Sequence, residues 1–150
     1  MPTLKTLLCA VDFSESSPRV ADYAAALAVA TKAEVICLYV APSLAEYVGF
    51  NVPQASLDSF VDDVVTSAEQ SMTEFTVAHF KDIPVRGLVL AGYPAEEILR
   101  AADKHHADLI VMGTHGRTGI DRIIFGSVAE KVVTAAPCPV LTVKPGPAAS

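Results

Sequence analysis

The sequence predicts an α/β fold, a doubly wound five-stranded parallel sheet with helices on both faces. Three observations carry this. Five short runs, at residues 4–11, 34–40, 85–90, 108–112 and 140–143, are dominated by Val, Ile and Leu. Several are nearly continuous rather than alternating, the pattern of strands covered on both faces. Amphipathic helical patterns separate them, so the order is β-α-β-α-β-α-β-α-β, which calls for crossover helices between parallel neighbours. A length of 150 residues suits one domain with one core. We expect residues 1–146 to form it and the Pro/Gly/Ala-rich 147–150 to be a disordered tail.

Each helix has its own signals. Ser17 before Pro18 reads as a cap followed by proline at the first helical position, and Val20, Ala24, Leu27 and Ala28 then recur at helical spacing. Residues 57–79 carry a long amphipathic pattern through Phe60, Val61, Val64, Val65, Ala68, Met72 and Phe75. Pro94-Ala95-Glu96-Glu97 opens a third helix, acidic at its start and with His105 and His106 near its end, as the helix dipole favours. Ser127-Val128-Ala129-Glu130 opens a fourth as an S-x-x-E capping box, and Pro137 limits it. Residues 42–56 are the one long irregular piece, with Tyr47, Gly49, Phe50 and Pro53, and are expected to form a flap.

The bulk properties exclude several function classes. Net charge is −6, with Lys and Arg scattered, so neither nucleic acid nor an anionic membrane is the expected partner. An acidic protein still binds phosphate when backbone amides and a helix end supply the donors. No apolar stretch approaches the roughly 20 residues that span a bilayer. The first run ends in Asp12 and Glu15 and lacks the features of a secretory signal. It reads as a buried strand of a cytoplasmic protein. Of the three cysteines, Cys9, Cys37 and Cys138, none has CxxC or zinc spacing. All three are expected to be buried, reduced thiols.

Ligands of doubly wound sheets sit beyond the carboxyl ends of the strands, where the strand order reverses. Asp12-Phe13-Ser14 follows the first strand, and Gly113-Thr114-His115-Gly116-Arg117 follows the fourth. The next connection reaches Gly126-Ser127 at a helix start. Setting the first and fourth strands side by side gives the order 3-2-1-4-5, with the switch point between them. Gly113 and Gly116 allow positive φ and close approach of the backbone to a ligand, and Gly126 leaves space ahead of the helix. Ser127 and the first-turn amides present donors where the dipole favours an anion, so a polyphosphate fits.

Taken singly, these residues have plainer uses. Ser127 suffices as an N-cap, Asp12 as a loop cap, and Arg117 and Arg122 as solvated charges as readily as phosphate ligands. His115 shows no dyad partner for acid–base work. Tyr39 reads as packing, and His79, His105 and His106 as helix-end surface residues. The sequence holds no G-x4-GK[ST] loop, hence no P-loop lysine, and no evident general base, so any turnover is expected to be slow.

The combination Gly113-x2-Gly116-x9-Gly126-Ser127 resembles the nucleotide motif of the universal stress protein family, in its ATP-binding branch. The likeness extends to Val11-Asp12-Phe13-Ser14, Gly92-Tyr93-Pro94-Ala95-Glu96-Glu97-Ile98, Asp108-Leu109-Ile110-Val111-Met112-Gly113 and Pro137-Cys138-Pro139-Val140-Leu141. It therefore spans nearly the whole chain, with no departure from the motif.

The resemblance implies a Rossmann-like nucleotide-binding module of the stress response, holding ATP (or ADP or AMP) with Mg or Mn. Asp12 would meet adenine or another polar edge of the nucleotide, with Ala10 and Val11 beside it, and Val40 would offer backbone groups to the base. Met112, Gly113 and Gly116 would lie along the ribose and phosphates, and Gly126, Ser127 and Val128 would hold the phosphates. Thr114 and Arg117 occupy variable positions as additional contacts. No protein side chain is assigned as a metal ligand. The resemblance also implies a homodimer through Val140, Leu141, Thr142 and Val143, an expected edge strand of the kind that invites pairing, and a regulatory protein partner. Two alternatives use the same crevice: a slow ATPase or nucleotidyl-transfer enzyme, and a nucleotide-free interaction protein.

Overall fold

In a computed structural model of the chain, which describes residues 1–42, 54–115 and 126–146, the five apolar runs become one parallel sheet. Strand β1 (Thr6–Ala10) lies at its centre, flanked by β2 (Glu34–Pro42) and β4 (Leu109–Gly113), with β3 (Val85–Gly92) and β5 (Val140–Val143) outermost. The order is β3-β2-β1-β4-β5, as the switch-point argument requires.

The near-continuous hydrophobicity of the inner strands follows from double coverage. Leu7, Leu8 and Cys9 are consecutive and each wholly buried, because alternate side chains enter opposite cores. Leu7 and Cys9 pack with Val20, Ala21, Ala24 and Ala28 of α1 (Ser17–Thr31) and with Met72 and Phe75 of α2 (Gln54–His79). Leu8 packs on the other face with Ile98, Ala101 and Ala102 of α3 (Pro94–Lys104) and with Ala129 and Val132 of α4 (Ser127–Ala135). The small residues let the helices approach closely. Gly87 does the same on β3, where an added Cβ would lie 2.5 Å from Met72 Cγ.

Several local expectations are corrected. Strands β2 and β3 each run two residues beyond the sequence pattern, and α2 starts three residues earlier. The irregular 42–56 segment therefore shrinks to the 43–53 connection. That connection lies outside the described residues, as do the expected flap and the 147–150 tail.

Ser17 is not the cap of α1. Ser16 holds that position without a side-chain capping bond, and Ser17 is the first helical residue. The capping box at Ser127 is likewise not formed. Glu130 N–H donates to Gly126 O at 3.0 Å, so the helix begins one residue earlier than the box requires, and Gly126 is the N-cap.

Cys9 and Cys37 are buried register partners on adjacent strands. The hydrogen bond to Cys37, with burial, holds the Cys9 thiol well above its ordinary pKa. Cys138 is only partly buried, against expectation, because it sits in the short turn that leads into the edge strand.

Candidate nucleotide site at the strand switch point

Strands β1 and β4 end side by side, with Ala10 opposite Met112. On the other flank Ala10 is opposite Leu38, so Val40 of β2 reaches the same end of the sheet. Ala10, Val40, Met112 and Val128 all pack on the α3/α4 face. Their common placement forms an apolar wall beneath the switch point. The side chain of Val11 enters the opposite core, so only its backbone borders this wall.

Beyond β1 the chain turns sharply. Val11 N–H still pairs with Leu38 O at 2.9 Å, but Phe13 has a φ of 58°, a left-handed conformation costing about 1–2 kcal/mol for a residue with a Cβ. Its ring packs on Tyr39 with centroids 4.6 Å apart, and on Phe75 at 5.7 Å. Aromatic contacts of this kind contribute about 0.5–1.5 kcal/mol each beyond burial, enough to offset the strained turn.

That turn delivers Asp12 to a set of donors. Ser14 N–H donates to Asp12 Oδ1 at 2.9 Å, the Asx-turn geometry. The Ser17 hydroxyl donates to the same oxygen at 3.1 Å and accepts from Asp12 N–H at 3.3 Å. Ser17 itself is 2% exposed, and its N–H closes the turn on Ser14 O at 3.0 Å. Sequence reasoning missed this role. The signal was present as Asp-x-Ser-x-x-Ser but was absorbed into the more familiar Ser-Pro helix start.

The β4 side is built from backbone. Thr114 N–H extends the ladder to Val143 O at 3.0 Å, and Thr114 O accepts from Gly126 N–H at 2.7 Å. This second bond docks the start of α4 onto the tip of β4 and brings Gly113 and Gly126 together. Neither glycine adopts positive φ, so the conformational freedom expected of Gly113 is not used. What matters there is space. A Cβ on Gly113 would lie 3.4 Å from His115 O and 3.6 Å from Val20 Cγ2, and one on Gly126 would lie 3.4 Å from Thr114 O.

Thr114 is buried, and its hydroxyl lies 2.7 Å from His115 Nδ1. Ser127 is exposed and Val128 half-buried. Their amides belong to the first helical turn, where no intrahelical carbonyl is in reach. Gly116 and Arg117 lie outside the described residues. Among the described residues no group of three or more His, Cys, Asp or Glu could hold a metal ion, and no helix is long and apolar enough to cross a membrane.

A sequence model of the universal stress protein family matches residues 3–144. The chain belongs to that family. A universal stress protein of Methanocaldococcus jannaschii, MJ0531, is 36% identical over 142 residues, covering 93% of this chain and 82% of the relative. One from Thermus aquaticus is 36% identical over 140 residues, covering 93% and 98%. The solved structure of MJ0577, a further universal stress protein of M. jannaschii, superposes with a TM-score of 0.86 at 27% identity, over 98% of this chain and 100% of that one. Two more distant universal stress proteins share the fold and were solved with adenine nucleotides. One is from Archaeoglobus fulgidus with dAMP (TM-score 0.67, 23% identity, 96% and 100% covered). The other is in complex with cAMP (TM-score 0.63, 22% identity, 95% and 98% covered).

Proposed function

We propose that this universal stress protein binds an adenine nucleotide, ATP in its working form, and acts as a nucleotide-dependent regulatory module in the stress response. The observation that carries the reading is the 2.7 Å bond from Gly126 N–H to Thr114 O. It sets the amide-rich start of α4 against the tip of β4, one strand away from Asp12. First-turn amides and the positive end of a helix dipole form a seat for phosphate, and the apolar wall of Ala10, Val40 and Met112 suits a planar base. Gly113 and Gly126 keep that floor clear of side chains. This set of groups therefore suits ATP: Gly126 and the amides of Ser127 and Val128 for the phosphates, Met112, Gly113 and Thr114 beside the ribose, and Asp12 as an acceptor at the polar edge. Mg or Mn would neutralise the phosphates from the ligand's side. Bound ATP would also alter a surface that a regulatory protein reads.

Mass spectrometry of nucleotide released from freshly purified, denatured protein tests the reading directly. ATP with Mg at about 100 times its Kd should add roughly 2.7 kcal/mol of stability. A preparation that releases no nucleotide and shows no thermal shift would sink it. We further infer a homodimer through the edge strand β5, to be checked by sedimentation of Leu141→Lys, which should run as a monomer.

One observation favours slow turnover as a second reading. His115, next to the end of β4, has its ring nitrogen 2.7 Å from the buried Thr114 hydroxyl. ADP formation by the native protein that disappears in His115→Ala would support it.

A further inference from the structure

We propose that the outer edge of β3 is a docking site for an extended segment of another protein, one that alternates basic and apolar residues. The proposal goes beyond nucleotide binding and does not depend on it. The two margins of the sheet are guarded differently. Strand β5 has four residues and lies between Pro139 and Pro145. Strand β3 has eight, Val85–Gly92, with no proline, lysine or acidic residue among them, and its register with β2 runs unbroken to Gly92. Shortness, proline, lysine and bulges are the usual defences of an edge, and β3 has none of them. Its one charge, Arg86, stands near the strand's start with its guanidinium 3.4 Å from His105 Nδ1.

The direction of each backbone group on β3 follows from one bond. Val35 N–H donates to Pro84 O at 2.8 Å, so Arg86, Leu88 and Leu90 also turn their backbone groups toward β2. Directions alternate along a strand, so Val85, Gly87, Val89 and Ala91 present N–H and C=O outward. Among the described residues no strand pairs with them. An added strand would complete that ladder and point its own side chains alternately to the two faces of the sheet. On one face it meets α2. Phe75 of α2 packs on Phe13 beside β1, and Met72, three residues earlier, lies over Gly87 of β3. Three residues back along a helix is a rotation of about 60°. The same step repeated reaches Glu69, and Asp62, seven residues earlier, shares its flank. Both are exposed, and α2 carries five acidic residues with no Lys or Arg. On the other face α3 packs over Leu8, Ile36 and Leu38 of the inner strands. Leu88 is only half-buried where its register partner Leu38 is wholly buried, and Leu90 is half-buried beyond it. A guest strand therefore meets carboxylates on one face and leucines on the other, which calls for alternating basic and apolar side chains. A second copy would instead bring two acidic α2 helices together, and like charge disfavours it.

The probe is a capped peptide of alternating valine and lysine, about ten residues long, titrated into the full chain and followed by NMR-detected amide exchange. The amides of Gly87, Val89 and Ala91 should gain protection, whereas those of Leu88 and Leu90, already turned to β2, should not change. A valine–glutamate peptide should bind at least about tenfold more weakly, and the double variant Asp62→Lys, Glu69→Lys should reverse that preference. Methylating the peptide's lysine nitrogens blocks an antiparallel guest, and methylating its valine nitrogens blocks a parallel one. One of the two should weaken binding at least about tenfold. Ala91→Pro, which removes an outward N–H and none that reaches β2, should weaken it about fivefold. Equal affinity for the lysine and glutamate peptides overturns the proposal, as does binding of neither. Undiminished binding of both methylated peptides does so too, and carries the test alone should Ala91→Pro fail to fold. Self-association of the native chain that Ala91→Pro abolishes would assign the edge to a second copy and overturn it equally.

Discussion

The two walls of the crevice are made of different material. On the β1 side the proposed ligand group is a side chain, and side chains hold it: Asp12 is bonded by Ser17, and the turn behind it is packed by Phe13 against Tyr39 and Phe75. On the β4 side the proposed ligand groups are amides, and backbone bonds hold them: Thr114 to Val143 and Gly126 to Thr114. The difference teaches which substitutions each wall tolerates. A side-chain wall is sensitive to what is removed. A backbone wall is insensitive to removal, because glycine has nothing to remove, and sensitive to what is added.

The largest expected effect breaks the backbone wall by addition. In Gly113→Val, the Cβ alone would stand 3.4 Å from His115 O and 3.6 Å from Val20 Cγ2, and two methyl groups add further bulk beyond it. Overpacking of this kind should destabilise the protein by about 1–3 kcal/mol. In a thermal melt, the shift produced by ATP should vanish as well. Next is removal from the side-chain wall. Asp12→Ala should weaken ATP by roughly tenfold or more, the worth of a hydrogen bond to a charged group, as read by calorimetry, and should lower stability by about 1–3 kcal/mol, because the buried Ser17 hydroxyl loses its acceptor.

A smaller effect sharpens the contrast. The φ of −70° at Gly126 suits alanine, and its Cβ would only touch Thr114 O at 3.4 Å. Gly126→Ala should therefore change stability by less than about 1 kcal/mol and weaken ATP less than Gly113→Val does. A complete loss of binding would show that a larger clearance is needed there.

The smallest effect belongs to the far end of the sheet. Partial burial, then Arg86 and Lys104, lower the pKa of His105, so protonation favours the unfolded chain. Stability should be fully present above the unfolded histidine value of about 6.5 and should decline as pH falls through that value toward the depressed folded one. His105→Gln should flatten this slope in melts between pH 5 and 8 without altering ATP affinity at either end.

The fold was legible where burial leaves a one-dimensional trace. Doubly covered strands cannot alternate, so Leu7, Leu8 and Cys9 stand together in the sequence, as do Ile110, Val111 and Met112. The switch point followed from the polar, glycine-rich residues after just two of the strands. What escaped depends on competition between local and tertiary partners. Ser17 and Ser127 both carry helix-start signatures, yet each helix begins with a different residue at its cap. The hydroxyl of Ser17 goes instead to a carboxylate five residues upstream, a pairing that periodicity does not encode. Of the two reasons the sequence offers for Gly113, positive φ is not used and the absence of a side chain is what the packing around it requires, since a strand-end position needing clearance looks the same in sequence as one needing positive φ. Val40 enters the proposed site through the family resemblance alone, since its side chain carries no chemical signal of its own.

The paired thiols at the centre of the sheet turn the protein into its own clock. Cys9 and Cys37 face each other across β1 and β2 with no surface exposed, and the Cys9 thiol, its pKa raised by the bond to Cys37 and by burial, is a poor nucleophile. An alkylating reagent can reach them only when the middle of the sheet comes apart, whereas the half-covered Cys138 is open to attack without that event. Counting labelled sulfurs over time would therefore separate local fraying at one margin from rupture of the centre, using no introduced probe.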